Sequence, residues 1–195
     1  MKTKTFLTTI CTIWLGLSCA PAPPEDEPAG QAPAAPGTPV PAAPAAPAMA
    51  QAVLAPLGDS GVSGKVVFTE TQQGVKVGAH VSGLTPGAHG FHIHEIGDCS
   101  SSDGKSAGGH FNPLGVPHAG PDADQAQAGD LGNITADASG QAELSMVSSR
   151  ITLGEGPTGI AGRAVILHAQ ADDLTSQPTG AAGGRVACGV IGEIP

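Results

Sequence analysis

The sequence is organised around Gly90–Asn112, which reads GFHIHEIGDCSSSDGKSAGGHFN and holds three of the chain's seven histidines. In an extended strand successive side chains alternate between two faces, so His92 and His94 point one way while Phe91 and Ile93 point the other. Two imidazoles side by side on one rigid element form half of a metal site. The chain then passes through a glycine- and serine-rich loop and returns with a third imidazole, that of His110.

Short apolar runs separated by turn residues continue on both sides of this stretch and predict an all-β fold. Glycine and proline are abundant, with 29 and 18 residues, whereas aromatic residues make up only 3% of the chain, which argues against a helical bundle. Eight short strands without an amphipathic helix indicate an antiparallel sandwich or barrel. The predicted strands are Ala52–Ala55, Gly64–Thr69, Val75–Val81, Gly90–His94, Ile134–Ala136, Ala142–Val147, Ala164–Ala169 and Val186–Ile191.

Two long connections, residues 95–132 and 170–185, interrupt this series of strands. Connections of such length inside a compact domain are usually either functional or disordered. Both lie next to strands that carry histidines, so we expect them to be functional loops.

The start of the chain differs in composition from the strand-rich part. Residues 1–18 combine a small basic start, Lys2 and Lys4, with an apolar run too short to span a bilayer, which is typical of a secretory signal. The signal ends before Cys19 in a context like a bacterial lipobox, where the cysteine is lipidated. The alternative is an ordinary cleaved signal with an incidental Cys19. Ala20 after the cysteine favours the outer membrane, so the expected location is the periplasm or cell envelope, with membrane contact only through the lipid.

Residues 20–51 are dominated by proline and alanine and predict an extended, disordered tether. A proline-rich ligand segment is the weaker alternative, because no basic residue flanks it. Residues 52–195 form the predicted folded domain. Export leaves Cys99 and Cys188 as the two remaining thiols, and an oxidising compartment favours their pairing. The formal net charge of −9 argues against nucleic-acid binding, which requires a basic face.

Further candidate ligands lie downstream of the opening stretch. His118 and Asp130 follow His110 in the first long connection, and His168 ends the apolar run Ala164–Leu167. Imidazole suits copper and zinc, and a carboxylate adds a harder ligand. Four histidines on separate segments plus one aspartate are enough for two adjacent metal sites, although spacing alone does not name the metal.

Five motifs in order resemble the copper/zinc superoxide dismutase family, in its bacterial secreted branch. They read GFHIHEIGDC, SAGGHFNP, GDLGN, HAQADDL and GGRVACGVIG, and the resemblance covers residues 52–195. It implies an eight-stranded antiparallel Greek-key β-barrel that dismutates superoxide to oxygen and hydrogen peroxide, with one copper per subunit. By motif, the residues that resemble the copper ligands are His92, His94, His110 and His168.

The resemblance also implies the second site and its surroundings. His110 would bridge copper to zinc, with His118 and Asp130 as further zinc ligands. Asp172 resembles the family carboxylate that would join His92 to His118. Arg185 resembles the arginine that attracts the substrate anion, and Thr179 the threonine that narrows the channel. Cys99 and Cys188 resemble the cysteines of an intrasubunit disulfide.

One position departs from the family pattern. Gln127 stands where the family has a third zinc histidine, three residues before Asp130. An amide oxygen is a poor zinc ligand beside imidazole, so water, Gln127 itself or a nearby acid such as Asp124 remains as the fourth ligand. We therefore expect zinc occupancy to be weakened, with normal occupancy and complete loss as alternatives.

Two histidines receive structural interpretations: His89 as a hydrogen-bonding residue beneath the site, and His80 as a solvated strand residue. The competing functions are a non-catalytic copper or zinc buffer in the envelope and an adhesion domain on its stalk. Retention of all four copper-type histidines and of Arg185 favours the enzyme. The resemblance admits both a monomer and a homodimer.

Overall fold

The computed structural model describes residues 48–194, which form an all-β domain closed into a barrel. Within these residues no helix is long and apolar enough to cross a membrane. Signal residues 1–18, Cys19 and most of the predicted tether lie outside the described residues. The strands are β1 (Met49–Pro56), β2 (Ser63–Thr71), β3 (Gly74–Ser82), β4 (Gly87–His94), β5 (Asp130–Ala136), β6 (Ala142–Ser148), β7 (Ala164–His168), β8 (Arg185–Val190) and the two-residue β9 (Gly192–Glu193).

The first eight strands make a closed antiparallel barrel in the order β1-β2-β3-β6-β5-β4-β7-β8, with β8 pairing back to β1. The chain crosses from β3 to β4 past two other strands and from β6 to β7 likewise, which is a Greek-key arrangement. This confirms the predicted eight-stranded Greek-key barrel. The short β9 adds to the edge of β1 at Ala50 and Gln51.

Strand bounds differ from the sequence prediction in two informative places. β1 begins at Met49, so the last three residues assigned to the tether belong to the barrel, where Ala50 is buried. β5 begins at Asp130 instead of Ile134, because the polar motif GDLGN pairs with β4. The two long connections consequently run over residues 95–129 and 169–184.

The barrel interior is a single apolar core to which the first eight strands contribute alternate residues. Phe68, Phe91 and Ile93 are fully buried there, together with Ile134 and Leu167. Each fully buried large aliphatic or aromatic side chain contributes about 1.5–3 kcal/mol to folding. A smaller apolar cluster outside the barrel surrounds Cys188, against which Cys99 packs.

The predicted disulfide is present between Cys99 and Cys188. Its two cysteines are 89 positions apart in the chain, so the bond ties the start of the first long connection to β8. The connection carries one short 3-10 helix, Lys105–Ala107, before it returns to the barrel at His110.

Candidate metal centre

The alternation of β4 places its histidines as the sequence predicts. Phe91 and Ile93 face the apolar core, whereas His92 and His94 face outward and are nonetheless fully buried. They are buried because the first long connection folds over them. The Phe111 N–H donates to the Ile93 carbonyl (2.8 Å), and His94 and His110 form an isolated antiparallel bridge.

His168 reaches the same place from the neighbouring strand. β7 pairs with β4 so that Ile166 lies opposite His92 and Ala164 lies opposite His94. A register shift between Leu167 and His168 in the pairing with β8 turns the end of the strand. Irregularities of this kind re-aim side chains beside functional sites. The His168 ring centroid lies 5.0 Å from that of His92.

Four imidazoles thus form the first cluster, which we call the four-histidine group: His92, His94, His110 and His168. One ring nitrogen from each lies within 4.8 Å of the others. His92 Nδ1, His94 Nε2, His110 Nε2 and His168 Nε2 are all buried without any hydrogen-bond partner. Buried polar atoms nearly always have a partner. Four unpartnered nitrogens that converge on one point therefore fit a metal cation.

The other nitrogen of each ring is engaged by the protein, which fixes the ring's orientation and tautomer. His92 Nε2 lies 2.8 Å from Asp172 Oδ2, and His110 Nδ1 lies 2.9 Å from Asp130 Oδ1. His94 Nδ1 donates to the Gly108 carbonyl at 3.0 Å, and His168 Nδ1 to that of Gly183 at 3.4 Å. Each orphaned nitrogen is thereby left with a free lone pair.

Burial keeps three rings of this group uncharged. Burial lowers the pKa of His92 to about 4, of His94 to about 2 and of His168 to about 3. The nearby Arg185 guanidinium adds to this lowering of the pKa at His94 and His168. At neutral pH these rings are therefore uncharged, and each keeps one nitrogen without a proton, which is the form that binds a metal.

The second cluster, which we call the mixed group, consists of His110, His118 and Asp130. His110 Nδ1 and His118 Nδ1 each lie 2.9 Å from Asp130 Oδ1. The other carboxylate oxygen accepts backbone N–H bonds from Ala119 (3.1 Å) and Gln127 (2.9 Å). Burial disfavours charge on His118, but its hydrogen bonds to Asp130 and Asp172 outweigh burial and raise its pKa. The mixed group therefore attracts positive charge.

Asp172 joins the two groups. Its Oδ2 lies 2.8 Å from His92 Nε2, and its Oδ1 lies 3.0 Å from His118 Nε2. Asn133 holds the backbone of Asp172 in two hydrogen bonds of 2.8 and 2.9 Å. A Cβ at Gly180 would lie 1.8 Å from Asp172 Oδ1, so only glycine allows this approach. Asp172 therefore contacts one histidine of each group.

Arg185 lies at the edge of the four-histidine group. Its guanidinium donates to the Gly104 carbonyl (2.5 Å) and to the Gly108 carbonyl (2.6 Å). The Gly108 carbonyl also accepts from His94, so one backbone oxygen contacts both the arginine and a metal-facing histidine. Thr179 is half-buried and directly precedes Gly180. Its role in narrowing a channel stays a prediction.

Gln127 is buried beside the mixed group, with only 5% of its surface exposed. Its Nε2 donates to the Pro178 carbonyl at 3.3 Å, and its Oε1 has no hydrogen-bond partner. Asp124, the other candidate fourth ligand, is exposed on a surface groove that Arg150 also lines. Of these two side chains, only Gln127 has an unpaired oxygen buried at the site.

The remaining two histidines lie where the sequence prediction put them. His89 is buried, with Nδ1 2.8 Å from the His168 carbonyl and Nε2 2.8 Å from the Thr85 carbonyl. It therefore supports the backbone beneath His168. His80 is exposed and pairs with Glu143 at 3.1 Å, away from both groups.

The sequence prediction missed several residues that hold the site. Gly108 and Gly183 act through their carbonyls, a property that every residue shares and that leaves no signal in sequence. Gln177 clamps His118 by accepting from its N–H (2.8 Å) and donating to its carbonyl (2.8 Å). Asn133 has a signal, since it ends the motif GDLGN that also contains Asp130.

Comparison with known proteins agrees with this geometry. Residues 62–191 match the family model of copper/zinc superoxide dismutase. A solved structure described as a crystal structure analysis of the clock protein EA4 is 43% identical to the chain, with a TM-score of 0.69. That similarity covers 77% of this chain and 97% of the other.

Proposed function

The chain belongs to the copper/zinc superoxide dismutase family, and on that premise we propose that it is itself a superoxide dismutase. The reaction converts two superoxide anions and two protons into one oxygen molecule and one hydrogen peroxide molecule. The observation that carries this proposal is the convergence of four orphaned imidazole nitrogens beside a guanidinium. Imidazole nitrogens are ligands that copper prefers.

The residues of the four-histidine group fit a copper ion. His92 Nδ1, His94 Nε2, His110 Nε2 and His168 Nε2 would hold it. Copper in such a site supplies a centre that accepts one electron and returns it. The chain itself must therefore position the anion, exclude competing ligands and deliver protons.

Arg185 is the residue to which we assign anion binding. The chain carries a formal net charge of −9, which repels an anionic substrate at long range. Burial lowers the pKa of Arg185, yet a guanidinium stays charged at any physiological pH. A positive charge fixed by two carbonyls next to His94 therefore gives the anion a local attractor.

His110 is the residue to which we assign proton delivery. Its Nδ1 faces Asp130, so Nε2 is the nitrogen that would either hold the copper or, when it is not bound to copper, take up a proton for transfer to the reduced anion. Thr179 would restrict the opening to small anions.

We assign the mixed group to a second metal, for which zinc is the best match to two imidazoles and one carboxylate. Gln127 in place of a fourth strong ligand predicts that zinc binds more weakly here than in a site with three histidines. The alternatives, normal occupancy and no zinc, give different metal contents in purified protein.

For the location we propose export to the periplasm or cell envelope with a lipid on Cys19. The support is the basic and apolar start of residues 1–18 and the residues that flank Cys19. A Cys19→Ser variant should then move the protein from the membrane fraction to the soluble fraction. Homodimer formation stays a prediction that a solution measurement of mass would check.

Superoxide consumption by the copper-loaded protein tests the proposed activity. We expect rapid consumption by the wild type, loss in His168→Ala, and retention in His80→Ala, which removes an exposed histidine with no contact to either group. If the copper-loaded wild type consumed superoxide no faster than metal-free protein, the proposal would be wrong. The chain would then fit the competing function, a non-catalytic copper- and zinc-binding protein of the envelope.

A further inference from the structure

The first long connection is attached to the rest of the domain by arginine side chains. The chain has three arginines, and each of them donates to backbone carbonyls of this connection. The contacts are those of Arg163 to Glu95, of Arg185 to Gly104 and Gly108, and of Arg150 to Pro121 and Ala123. Arg150 is thus the arginine that holds the part of the connection nearest in sequence to the mixed group.

The stretch 119–127 spans the interval between two residues of the mixed group. It follows His118 directly and ends three residues before Asp130. The Ala119 N–H (3.1 Å) and the Gln127 N–H (2.9 Å) donate to the same Asp130 carboxylate oxygen. Both ends of the stretch are therefore attached to a member of the group, whereas its middle depends on other contacts.

Arg150 supplies the contact to the middle of this stretch. Its Nη1 donates to the Pro121 carbonyl at 2.6 Å, and its Nη2 donates to the Ala123 carbonyl. These carbonyls lie 29 and 27 positions from Arg150 in the chain. The Ala123 N–H donates to the Gly120 carbonyl at 3.0 Å, which closes a turn over residues 120–123. One guanidinium therefore fixes a single turn at two points.

The backbone of Arg150 is itself well supported. Arg150 lies two residues after the end of β6 at Ser148, and its N–H donates to Ser148 Oγ at 3.3 Å. The next residue, Ile151, is fully buried in the barrel core. Hydrogen bonds from a charged donor are stronger than those between neutral groups. The barrel thus presents a firmly held, strong donor to the turn.

Packing between the turn's connection and the connection that carries Arg150 is incomplete. A surface groove of about 330 Å³ lies between them. The first long connection lines it with Leu114, Val116 and Ala126, and the β6–β7 connection lines it with Ser149 and Thr158. Side chains that border a groove lack partner atoms on one side and lose those dispersion contacts. The two hydrogen bonds of Arg150 therefore matter more here than they would in a close-packed region.

We propose that Arg150 is a positioning residue for the mixed group, an inference that rests on the assignment of this group to zinc. By fixing the turn over residues 120–123, Arg150 keeps His118 and Gln127 near Asp130 before zinc binds. Zinc then meets ligands that are already in place, and a smaller ordering cost opposes its binding. Without Arg150, the stretch is held mainly at its two ends, and the ordering cost rises.

The test measures the zinc affinity of the copper-loaded full chain by competition with a chelator. With copper in the four-histidine group, added zinc reports on the mixed group. We expect Arg150→Met to lower zinc affinity about tenfold, the lower end of the range for partners of metal ligands, and to leave copper affinity unchanged. Arg150→Lys keeps the charge but lacks the planar fork that binds two carbonyls, so its zinc affinity should lie between those of Arg150→Met and the wild type.

The direction of the change separates positioning from charge. Removal of a cation should by itself favour the binding of Zn²⁺, so a fall in zinc affinity in Arg150→Met would come from lost positioning. Lys65→Met is the matched control, because it removes an exposed cation from β2, which carries no member of either metal group. It should leave zinc affinity unchanged. A zinc affinity of Arg150→Met equal to or above that of the wild type would contradict the proposed role of Arg150.

Amide hydrogen exchange separates a local effect from a general loss of stability. In the zinc-free, copper-loaded Arg150→Met protein, the N–H groups of Ala119 and Gln127 should exchange faster than in the wild type. The Gly108 N–H, in the stretch that Arg185 holds, should exchange at the wild-type rate. Equal acceleration at all three positions would show that Arg150 stabilises the whole domain and does not position the mixed group.

None of these measurements depends on catalysis. A wild type that binds zinc but consumes no superoxide would refute the proposed activity alone, and the zinc affinities of the variants would still decide the role of Arg150. A wild type that binds no zinc would refute both the assignment of the mixed group to zinc and the proposed role of Arg150.

Discussion

The four-histidine group stands largely on strands, whereas the mixed group is held mainly by side chains of the first long connection. His92 and His94 lie on β4 and His168 ends β7, so strand pairing sets the distances among these three rings. In the mixed group, His110 and His118 lie in the connection, and only Asp130 begins a strand. His110 belongs to both groups.

The two groups also differ in what their atoms already contact. Each metal-facing nitrogen of the four-histidine group is orphaned, and burial keeps three of its rings neutral by lowering their pKa values. In the mixed group the two rings already contact the same carboxylate oxygen. The metal-facing nitrogens of the four-histidine group thus have no partner unless a metal binds. The polar atoms of the mixed group, in contrast, already hydrogen-bond to one another. We expect the four-histidine group to bind its metal more selectively and to determine activity.

The largest difference should separate His94→Ala from His118→Ala. His94→Ala removes one of four converging nitrogens, and superoxide consumption should fall by more than the roughly 10–100-fold that loss of an outer partner costs. His118→Ala removes a ligand of the mixed group alone and should abolish zinc binding while leaving copper bound and activity measurable. Metal content and superoxide consumption of both variants check this. Equal losses of activity would contradict the division between the groups.

Loss of the disulfide should loosen the first long connection, which supports the mixed group, more than it loosens the strands. Reduction of Cys99–Cys188, or its replacement by two serines, frees a segment of 89 positions and should lower the free energy of unfolding by about 4–5 kcal/mol in the chain-entropy model. Urea denaturation of the metal-free protein measures this change. A loss below about 1 kcal/mol would show that the apolar cluster around Cys188 holds the connection without the bond.

The contrast between strands and loop also explains which features sequence could predict. Alternation along β4 places His92 and His94 on one face, because the side-chain period of a strand is fixed by local geometry. The sequence pattern does not predict that β5 starts at Asp130, because the motif GDLGN is polar and its Gly132 has a φ of 77°. Residues 49–51 were assigned to the tether by composition, yet pairing with β2 recruits them into β1.

Long-range contacts were predictable only through the family resemblance. Nothing local to Asp172 says that its two oxygens reach His92 and His118, which lie 80 and 54 positions away. The carbonyl of Gly108, which contacts His94 and Arg185, was missed altogether. Such contacts depend on the folded path of a connection, and the sequence of that connection has no regular period to read.

Asp172→Asn is a test of the link between the groups. An amide can replace only one of the two carboxylate acceptors, so the orientation of His92 or His118 should loosen. We expect the affinities of both metals to fall, each by about 10–100-fold. Competition with chelators measures the two affinities separately. Asp173→Asn is the matched control, because the Asp173 carboxylate is exposed and, within residues 48–194, bonds only to Thr175 and Ser176. A loss confined to one metal would show that Asp172 serves a single group.

Variants at Gln127 should have the smallest effect. They test whether the mixed group binds zinc weakly because of its ligand type or because it lies in a loop. Gln127→His supplies a third imidazole to the mixed group. The backbone at this position is already held by the hydrogen bond from its N–H to Asp130. We expect zinc affinity to rise about tenfold or more, which is the scale of the effect that partners of metal ligands have on metal affinity. Asp124→His adds an imidazole at the exposed position and should change nothing.

The converse variant, Gln127→Ala, separates the remaining alternatives for the fourth ligand. If the unpaired Gln127 oxygen binds the metal, its removal should lower zinc affinity and alter the visible spectrum of the cobalt-substituted protein. If water occupies that place, affinity and spectrum should stay as in the wild type. Should Gln127→His fail to raise zinc affinity, the weakness would lie in the connection itself. Ligand identity would then matter less in this group than the rigidity that strands give to the other.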